Sequence, residues 1–247
     1  APPFRLMGPA ARAHRLEKLG VDKLFELPFD GDFASLTPVE FARDVLHEGL
    51  GLSHVVVGAD FCFGKARKGT VQDLIAFGEE FGFGVTIAPL MAQGALTVSS
   101  TAIRNALSAG NPREAAQMLG HWHRIEGPVI GGEKRGRELG YPTANMSIDG
   151  LHPPAYGVYA VLVDVLDGPH RGKYHGAASL GVRPMFGVNT ANLETYIFDF
   201  KGDLYGAELS IGLVEHLRGE ENFDGLDALI RQMDSDCTRA RAILDAL

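Results

Sequence analysis

Short apolar segments alternate with amphipathic segments through the first half of the chain. Val55–Val57 is a β-branched run typical of a buried strand, and a second such strand is predicted over Val85–Ala88. Helical spacing of apolar residues, with capping residues or glycine at the ends, predicts helices over Thr37–Leu46, Asp73–Phe81, Ser100–Ala109 and Asn111–Gly120. Strands and helices in alternation indicate a parallel sheet with crossover helices.

The pattern changes after about Trp122, where helical spacing gives way to short strands separated by Gly, Pro and Asp. The predicted strands are Ile125–Ile130, Gly157–Leu166, Lys173–Val182, Leu193–Phe200 and Ala207–Glu215. Five or six short strands are typical of a small closed barrel. The chain ends in an amphipathic helix, Asp224–Leu244, whose apolar stripe is expected to pack on the barrel. We therefore predict two domains, residues 1–121 and 122–247.

Composition and charge narrow the classes of protein that this chain can be. Apolar residues make up 45% and charged residues 22% of the 247 residues, close to a globular average. A formal net charge of -8 argues against a general nucleic-acid binder, although it allows a nucleotide substrate. No apolar run reaches the roughly 18 residues of a membrane span, and no secretory signal is recognisable. We expect no nucleic-acid or membrane partner, a cytoplasmic location, and free thiols at Cys62 and Cys237.

A glycine-rich, basic stretch from Gly131 to Asn145 is the strongest chemical signal in the sequence. Glycines let a backbone turn tightly and present successive N–H groups to phosphate oxygens, while the basic side chains add charge. Thr143 and Asn145 lie two residues apart on an extended chain, so their side-chain oxygens point to one face and suit Mg²⁺ held together with phosphates. For the loop alone, a barrel turn with ordinary surface charges is the favoured alternative. The phosphate-binding candidates are Gly131, Lys134, Arg135, Gly136, Arg137, Thr143 and Asn145.

Glu194 is the candidate proton acceptor. It lies within a predicted strand, and a carboxylate there can take the proton of a substrate hydroxyl that attacks a phosphoryl group. The alternative is a solvent-facing polar position in an alternating strand, which is the better interpretation of Glu194 taken alone.

Two segments of the first half could bind an anion or a flat ring. One opens a helix with three hydroxyl residues, where free N–H groups and the helix dipole attract anions, although an ordinary N-cap with a surface arginine is equally compatible. The other follows a strand and combines aromatic with basic side chains, and ligands of parallel sheets bind beyond the carboxyl ends of strands. Its alternative is a loop whose phenylalanines pack in the core. The candidates are Ser99, Ser100, Thr101 and Arg104 in the first segment and Asp60, Phe61, Phe63 and Arg67 in the second.

Together these segments resemble the bacterial bifunctional riboflavin kinase/FMN adenylyltransferase family over essentially the whole chain. The segment Pro142–Asn145, followed by a glutamate on a later strand, is specific to this kinase family, and several further motifs occur in the family's order. Those motifs are Val57–Gly64, Ser99–Arg104, Gly136–Asn145, Gly157–Ala160, Gly181–Pro184, Leu193–Glu194, Gly202–Gly206 and Leu217–Glu220.

The resemblance implies a fold and a role for each motif. The fold would be an incomplete Rossmann-like nucleotidyltransferase domain followed by a six-stranded riboflavin kinase β-barrel with a C-terminal helix. The barrel would transfer the γ-phosphoryl group of ATP to the 5′-hydroxyl of riboflavin, with Mg²⁺ and nucleotide phosphates held by Thr143 and Asn145. Glu194 would be the base, and the loop 131–137 would cover ATP. The residues near the flavin would be Arg218 and Glu220.

The first domain departs from the family pattern. Adenylyltransferases of the family have a Gly-x-Phe-Asp-Gly-x-His-x-Gly-His stretch whose histidines stabilise the transferring α-phosphate, and this sequence does not contain it. The segments Asp60–Arg67 and Ser99–Arg104 would form an adenylyltransferase-like site without those histidines. We therefore expect the chain as given to form FMN but not FAD. A flavin- or nucleotide-binding module without turnover is the alternative, although a pure binder would not need Glu194.

Overall fold

The computed structural model describes residues 4–89, 92–93, 96–131, 140–185 and 188–247, and the chain divides into two compact units. One unit is Lys23–Gly94, and the other combines Ala1–Asp22 with Ala95–Leu247. The domain boundary predicted between residues 121 and 122 lies inside the second unit and stays a prediction about the organisation of the sequence.

Two parallel strands and the helices around them build the Lys23–Gly94 unit. Strands β1 (His54–Gly58) and β2 (Gly84–Ala88) pair in parallel, with Val56 opposite Thr86. This pairing confirms the parallel arrangement that the alternating pattern predicts. The helical segments are α2 (Gly31–Ser35), α3 (Pro38–Glu40), a π-helical continuation of α3 (Phe41–Gly49), a 3₁₀ turn (Lys65–Arg67) and α4 (Val71–Phe81).

Capping boxes begin α3 and α4. The Thr37 hydroxyl accepts the backbone N–H of Glu40, and the Glu40 carboxylate accepts the backbone N–H of Thr37. Thr70 and Asp73 form the same reciprocal pair at the start of α4. Gly82, in the left-handed region at φ 86°, ends α4. These local signals account for helix ends that agree with the predicted ones to within a few residues.

A six-stranded antiparallel sheet forms the core of the other unit. Its strands are β5 (Arg124–Pro128), β6 (Thr143–Ser147), β7 (Gly157–Val165), β8 (Gly172–Met185), β9 (Val188–Ile197) and β10 (Glu208–Arg218). They lie in the order β5-β10-β7-β8-β9-β6. The N–H of Ile130 donates to the carbonyl of Asn145 at 2.8 Å, so the chain just after β5 bridges to β6 and the sheet nearly closes. The structure thus confirms the six-stranded barrel.

Strand β6 is not among the strands predicted from alternation. It pairs with β9 along its whole length and places Asn145 opposite Glu194. Its interior residues, Ala144 and Met146, lack the β-branched character that marks the other strands. Pairing with β9, rather than local preference, therefore makes this segment a strand.

The C-terminal helix, α7 (Leu226–Leu244), packs on the outer face of the barrel. Its residues Ala240 and Leu244 are buried against strand residues that include Ala160 and Val214, which confirms that the helix packs on the barrel, whereas Leu226 at the start of the predicted stripe is exposed. The remaining elements are α1 (Pro9–Lys18), β3 (Ala92–Gln93), β4 (Leu96–Thr97), α5 (Ser100–Ser108) and α6 (Pro112–Leu119). Among the helices in these described ranges, none is long and apolar enough to span a bilayer.

The buried His123, just before β5, makes the stability of this unit depend on pH. Burial lowers its pKa from 6.5 to about 4, and its Nδ1 has no hydrogen-bond partner among the described residues. Between these two values the unfolded chain binds a proton at His123 that the folded protein does not bind. The free energy of unfolding should therefore fall as the pH is lowered from 6.5 toward 4, by at most about 1.4 kcal/mol per pH unit from this residue.

Urea unfolding of the wild type and of His123→Leu, each near pH 7.5 and near pH 5, measures this contribution. The variant should lose part of the pH dependence whatever its stability at neutral pH. An identical pH dependence in both proteins would contradict the assignment to His123.

Candidate functional site

A row of polar side chains crosses the outer face of the barrel. The strand register places Asn145 of β6, Glu194 of β9 and Ser179 of β8 side by side. Their neighbours along each strand belong to the interior core, so these three side chains face outward. In the next row of the same face, Thr143 lies opposite Tyr196. Directly opposite residues have Cβ atoms within about 5.5 Å, so the fold brings together the predicted Thr143, Asn145 and Glu194.

The side-chain amide of Asn145 is buried and held from two sides. Its Nδ2 donates to the carbonyl of Thr143 at 3.3 Å and lies 3.5 Å from Thr143 Oγ1. Its Oδ1 accepts a hydrogen bond from Nδ2 of Asn192 at 3.0 Å. Asn192 is not among the residues predicted from the sequence, although a polar residue two positions before Glu194 lies on the same face of the strand. These contacts fix the orientation of the Asn145 amide.

A cavity of about 210 Å³, called the first cavity below, opens beside this row. Glu194 and Thr143 line it together with Arg218 and Glu220, the two residues that the resemblance places near the flavin. Asn145, two residues after Thr143 on β6, does not line it. Other lining residues are Tyr141, Tyr196, Leu229, Met233, Asp236 and Cys237. The cavity therefore combines apolar and aromatic walls with a small number of charged groups, as small-molecule sites do.

Arg218, at the end of β10, is anchored by the C-terminal helix. Its Nε and Nη2 each lie 2.9 Å from Oδ2 of Asp236, and its Nη1 donates to the carbonyl of Gly219 at 3.0 Å. The other carboxylate oxygen of Asp236 accepts a hydrogen bond from Nε2 of Gln232 at 2.9 Å. Asp236 is only 3% exposed. One feature of the sequence points to a buried role for Asp236: this charged residue falls on the apolar stripe of the helix.

Two glycines allow β10 and the segment after it to reach the cavity. Gly157 has φ 141°, and a Cβ built there would lie 2.1 Å from the carbonyl oxygen of Arg218. A Cβ at Gly181 would lie 2.3 Å from Oε1 of Glu220, so the Glu220 carboxylate packs over the bare backbone of β8. The absence of side chains at these two positions therefore permits the placement of Arg218 and Glu220.

A second cavity, of about 310 Å³, adjoins the first at Thr143, which lines both. Pro142, Thr195 and the turn after β9 form much of its wall, and the turn residues are Phe200, Lys201, Gly202, Asp203, Leu204 and Tyr205. The predicted Gly131 is exposed. Lys134, Arg135, Gly136 and Arg137 lie outside the described residues.

The predicted site residues of the Lys23–Gly94 unit divide between core and surface. Phe63 is buried in the core of this unit, and its ring stacks with that of Phe61 at 5.5 Å. Asp60 and Arg67 are exposed. Phe63 therefore serves the packing of this unit, as the alternative interpretation of this segment expects for one of its phenylalanines.

The hydroxyl segment at the start of α5 is a capped helix start with an arginine tied back to the chain. The Ser99 hydroxyl accepts the N–H of Ala102 at 3.1 Å. Arg104 donates from Nη1 to the carbonyl of Phe4 and from Nη2 to Thr101 Oγ1, each at 3.3 Å. Ser100 and Thr101 are exposed at the N-terminus of the helix. This geometry is compatible with both interpretations of the segment, and its anion-binding role stays a prediction.

Comparison with known proteins matches the chain to two families and to relatives that carry both names. Residues 119–244 match the riboflavin kinase family, and residues 1–102 match the FAD synthetase family. The bifunctional riboflavin kinase/FMN adenylyltransferase of Pseudomonas fluorescens is 40% identical over 225 residues, covering 91% of this chain and 71% of that protein. The protein of the same name from Escherichia coli (strain K12) is 36% identical over 239 residues, covering 97% and 75%. A crystal structure described as a macrolide-efflux protein from Streptococcus pneumoniae is 36% identical with a TM-score of 0.78, covering 94% and 73%.

These matches and the six-stranded barrel define the class of the protein, a transferase that combines a riboflavin kinase barrel with a nucleotidyltransferase-type domain. The relatives align with this chain over nearly its whole length and over more than two thirds of their own. The chain belongs to the bifunctional riboflavin kinase/FMN adenylyltransferase family.

Proposed function

We propose that this protein transfers a phosphoryl group from ATP to the 5′-hydroxyl of riboflavin and forms FMN. The observation that carries the proposal is the position of Glu194, which lines the first cavity beside Thr143 and lies opposite Asn145. A module that only bound flavin would not need a carboxylate next to oxygens suited to a cation and phosphates. Membership of a riboflavin kinase family supports the same function.

Riboflavin would occupy the first cavity. The rings of Tyr141 and Tyr196 meet there edge to face, 5.0 Å apart, and offer an aromatic wall to a flat ring system. Arg218 and Glu220 add polar groups that can bind its heteroatoms. ATP would enter through the second cavity, because Thr143 lies where the two cavities adjoin. A flavin hydroxyl and a phosphate could then meet beside Glu194.

Glu194 would act as the general base. A carboxylate within hydrogen-bond reach of the ribityl hydroxyl accepts its proton as the oxygen attacks the phosphoryl group. Phosphoryl transfer depends mostly on positioning and on stabilising charge. The fixed amide of Asn145 and the substrate position set by the first cavity would therefore contribute to the rate together with the base.

The oxygens of Thr143 and Asn145 fit Mg²⁺ as a partner of the nucleotide. Both are neutral, hard ligands, which Mg²⁺ accepts where substrate phosphates supply the negative charge. A carbonyl oxygen has two lone pairs, so Asn145 Oδ1 keeps one beyond its bond from Asn192. When bound, the ion would offset charge on the transferring phosphoryl group. The Thr143 hydroxyl and the Asn145 amide would hold it.

Incubation of the protein with riboflavin, ATP and Mg²⁺, followed by separation of FMN from FAD, tests the proposal. We expect FMN as the product. If a folded protein binds riboflavin but forms no FMN, the flavin-binding module without turnover becomes the correct interpretation. The same separation tests the expectation that this chain forms no FAD. The cytoplasmic location and the absence of nucleic-acid and membrane partners stay predictions from the sequence.

A further inference from the structure

We propose that Asp236 of α7 is a positioning residue for the flavin, because it fixes the guanidinium of Arg218 on the wall of the first cavity. The C-terminal helix is then a part of the substrate site and not only a cover for the barrel. This inference rests on the proposed function, since it assigns the first cavity to riboflavin.

The contacts of Arg218 restrict its guanidinium to one orientation. A guanidinium carries five N–H donors in a rigid plane. Two of its nitrogens are held by Asp236 and the third by the carbonyl of Gly219, each at 2.9–3.0 Å. The ring centroid of Phe223 lies 5.3 Å from Arg218 Cζ and covers one face of the plane. The orientation of the remaining N–H bonds is thereby set by Asp236.

The position of Asp236 in the helix is difficult to explain by packing alone. It lies between Met233 and Ala240 on the stripe that faces the barrel, and its side chain is 4% exposed. At such a position an apolar residue of similar volume is often as stabilising as a buried ion pair, because both charges of the pair must be desolvated. A buried carboxylate that binds an arginine on a cavity wall is therefore better explained by orientation of that arginine.

The same turn of α7 also binds a second residue of the cavity wall, Tyr141. The Asp234 carboxylate accepts a hydrogen bond from the hydroxyl of Tyr141, and this bond raises the pKa of Tyr141 above its ordinary value. Successive helical residues are about 100° apart, so the carboxylates at 234 and 236 point to different sides of the helix. One reaches the chain that enters β6 and the other reaches the end of β10. A displacement of this turn would therefore move both Tyr141 and Arg218.

Asp236→Asn tests the inference, because it keeps the shape of the side chain and removes its charge. We expect the Kd and KM for riboflavin to rise about tenfold, the loss typical of a charge-assisted hydrogen bond, while the KM for ATP changes less than about twofold. Quenching of riboflavin fluorescence gives the Kd, and initial rates of FMN formation give both KM values. A loss confined to the flavin side is not expected from general damage to the barrel.

Asp199→Asn is the matched control, because Asp199 lies just after β9 and also binds an arginine across the contact with α7. Asp199 accepts two hydrogen bonds from Arg241 of α7, at 2.7 and 3.0 Å, and neither residue lines the two cavities. Its φ of 57° is one that Asn adopts readily, so the control breaks an ion pair to α7 without straining the backbone. Riboflavin binding should be unchanged.

A double-mutant cycle separates positioning from a general structural effect. If Asp236 acts through Arg218, then Asp236→Asn should not weaken riboflavin binding further in an Arg218→Ala background. Additive losses would overturn the inference, as would a wild-type Kd in a folded Asp236→Asn protein.

Gln232→Met decides the question if circular dichroism shows that Asp236→Asn is unfolded. It removes only the 2.9 Å bond to Asp236, so a Kd raised about threefold would support the inference and a wild-type Kd would overturn it. A wild-type protein that binds no riboflavin would instead overturn the proposed function, and this inference with it.

Discussion

Glu194→Gln is expected to lower kcat for riboflavin phosphorylation by about 10²–10⁴-fold, the range of a lost general base, while the Kd for riboflavin stays near that of the wild type. Glutamine keeps the length and shape of the side chain, so the row formed with Asn145 and Ser179 should persist. Its amide cannot accept the proton of the attacking hydroxyl. Initial rates of FMN formation at saturating substrates and riboflavin fluorescence quenching measure the two quantities separately.

Glu208→Gln is the matched control for this substitution. Glu208 begins β10 and lines neither cavity, so the same chemical change on a barrel strand should leave kcat unchanged. A wild-type kcat in Glu194→Gln would show that Glu194 is not the base. A raised Kd with an unchanged kcat would show that Glu194 only binds the substrate.

Gly157→Ala is expected to lower the free energy of unfolding by about 3 kcal/mol or more, the range for backbone strain combined with a steric clash. The φ of 141° is poorly accessible to alanine, and its Cβ would lie 2.1 Å from the carbonyl oxygen of Arg218. The end of β10 must then move away from β7 at a point where the register of the two strands is already irregular. Because Arg218 is on the wall of the first cavity, riboflavin binding should weaken as well.

Gly127→Ala in β5 provides the comparison. A Cβ there would meet Met146 Cε at 3.9 Å, which is ordinary van der Waals contact, so we expect a change within about 0.5 kcal/mol. Urea unfolding of both variants measures the difference. Equal stability of the two would contradict the steric explanation for Gly157.

Local sequence signals are sufficient to predict most of the longer helices and strands. The β-branched run Val55–Val57 lies in β1, and the capping pair Thr37 and Glu40 begins α3. Such signals are local because capping and β-branched preferences act within a few residues. Strand β6 is one of the elements that these signals miss, since only Thr143 among its residues has a strong strand preference and the segment becomes a strand by pairing with β9.

The residues of the candidate site also differ in whether the sequence alone could identify them. Thr143, Asn145 and Glu194 are candidates from the sequence because a hydroxyl, an amide and a carboxylate are groups that phosphoryl transfer uses, and the resemblance to the kinase family favours Glu194 over a solvent-facing position. Asn192 and Asp236 could not be chosen with the same assurance, since polar residues in a strand or a helix are usually solvated. Their roles depend on burial and on partners that are distant in sequence.

The sequence by itself determined the alternation of strand and helix, the barrel that follows it, and the types of residue available for chemistry, because these depend on periodicity and on side-chain groups. The tertiary structure alone decided that Asn145, Glu194 and Ser179 form one row, since strand register is a long-range property. It also decided that a helix carboxylate holds Arg218 beside that row. A side chain acquires such a role only when folding removes it from water and brings its hydrogen-bond partners together from distant parts of the sequence.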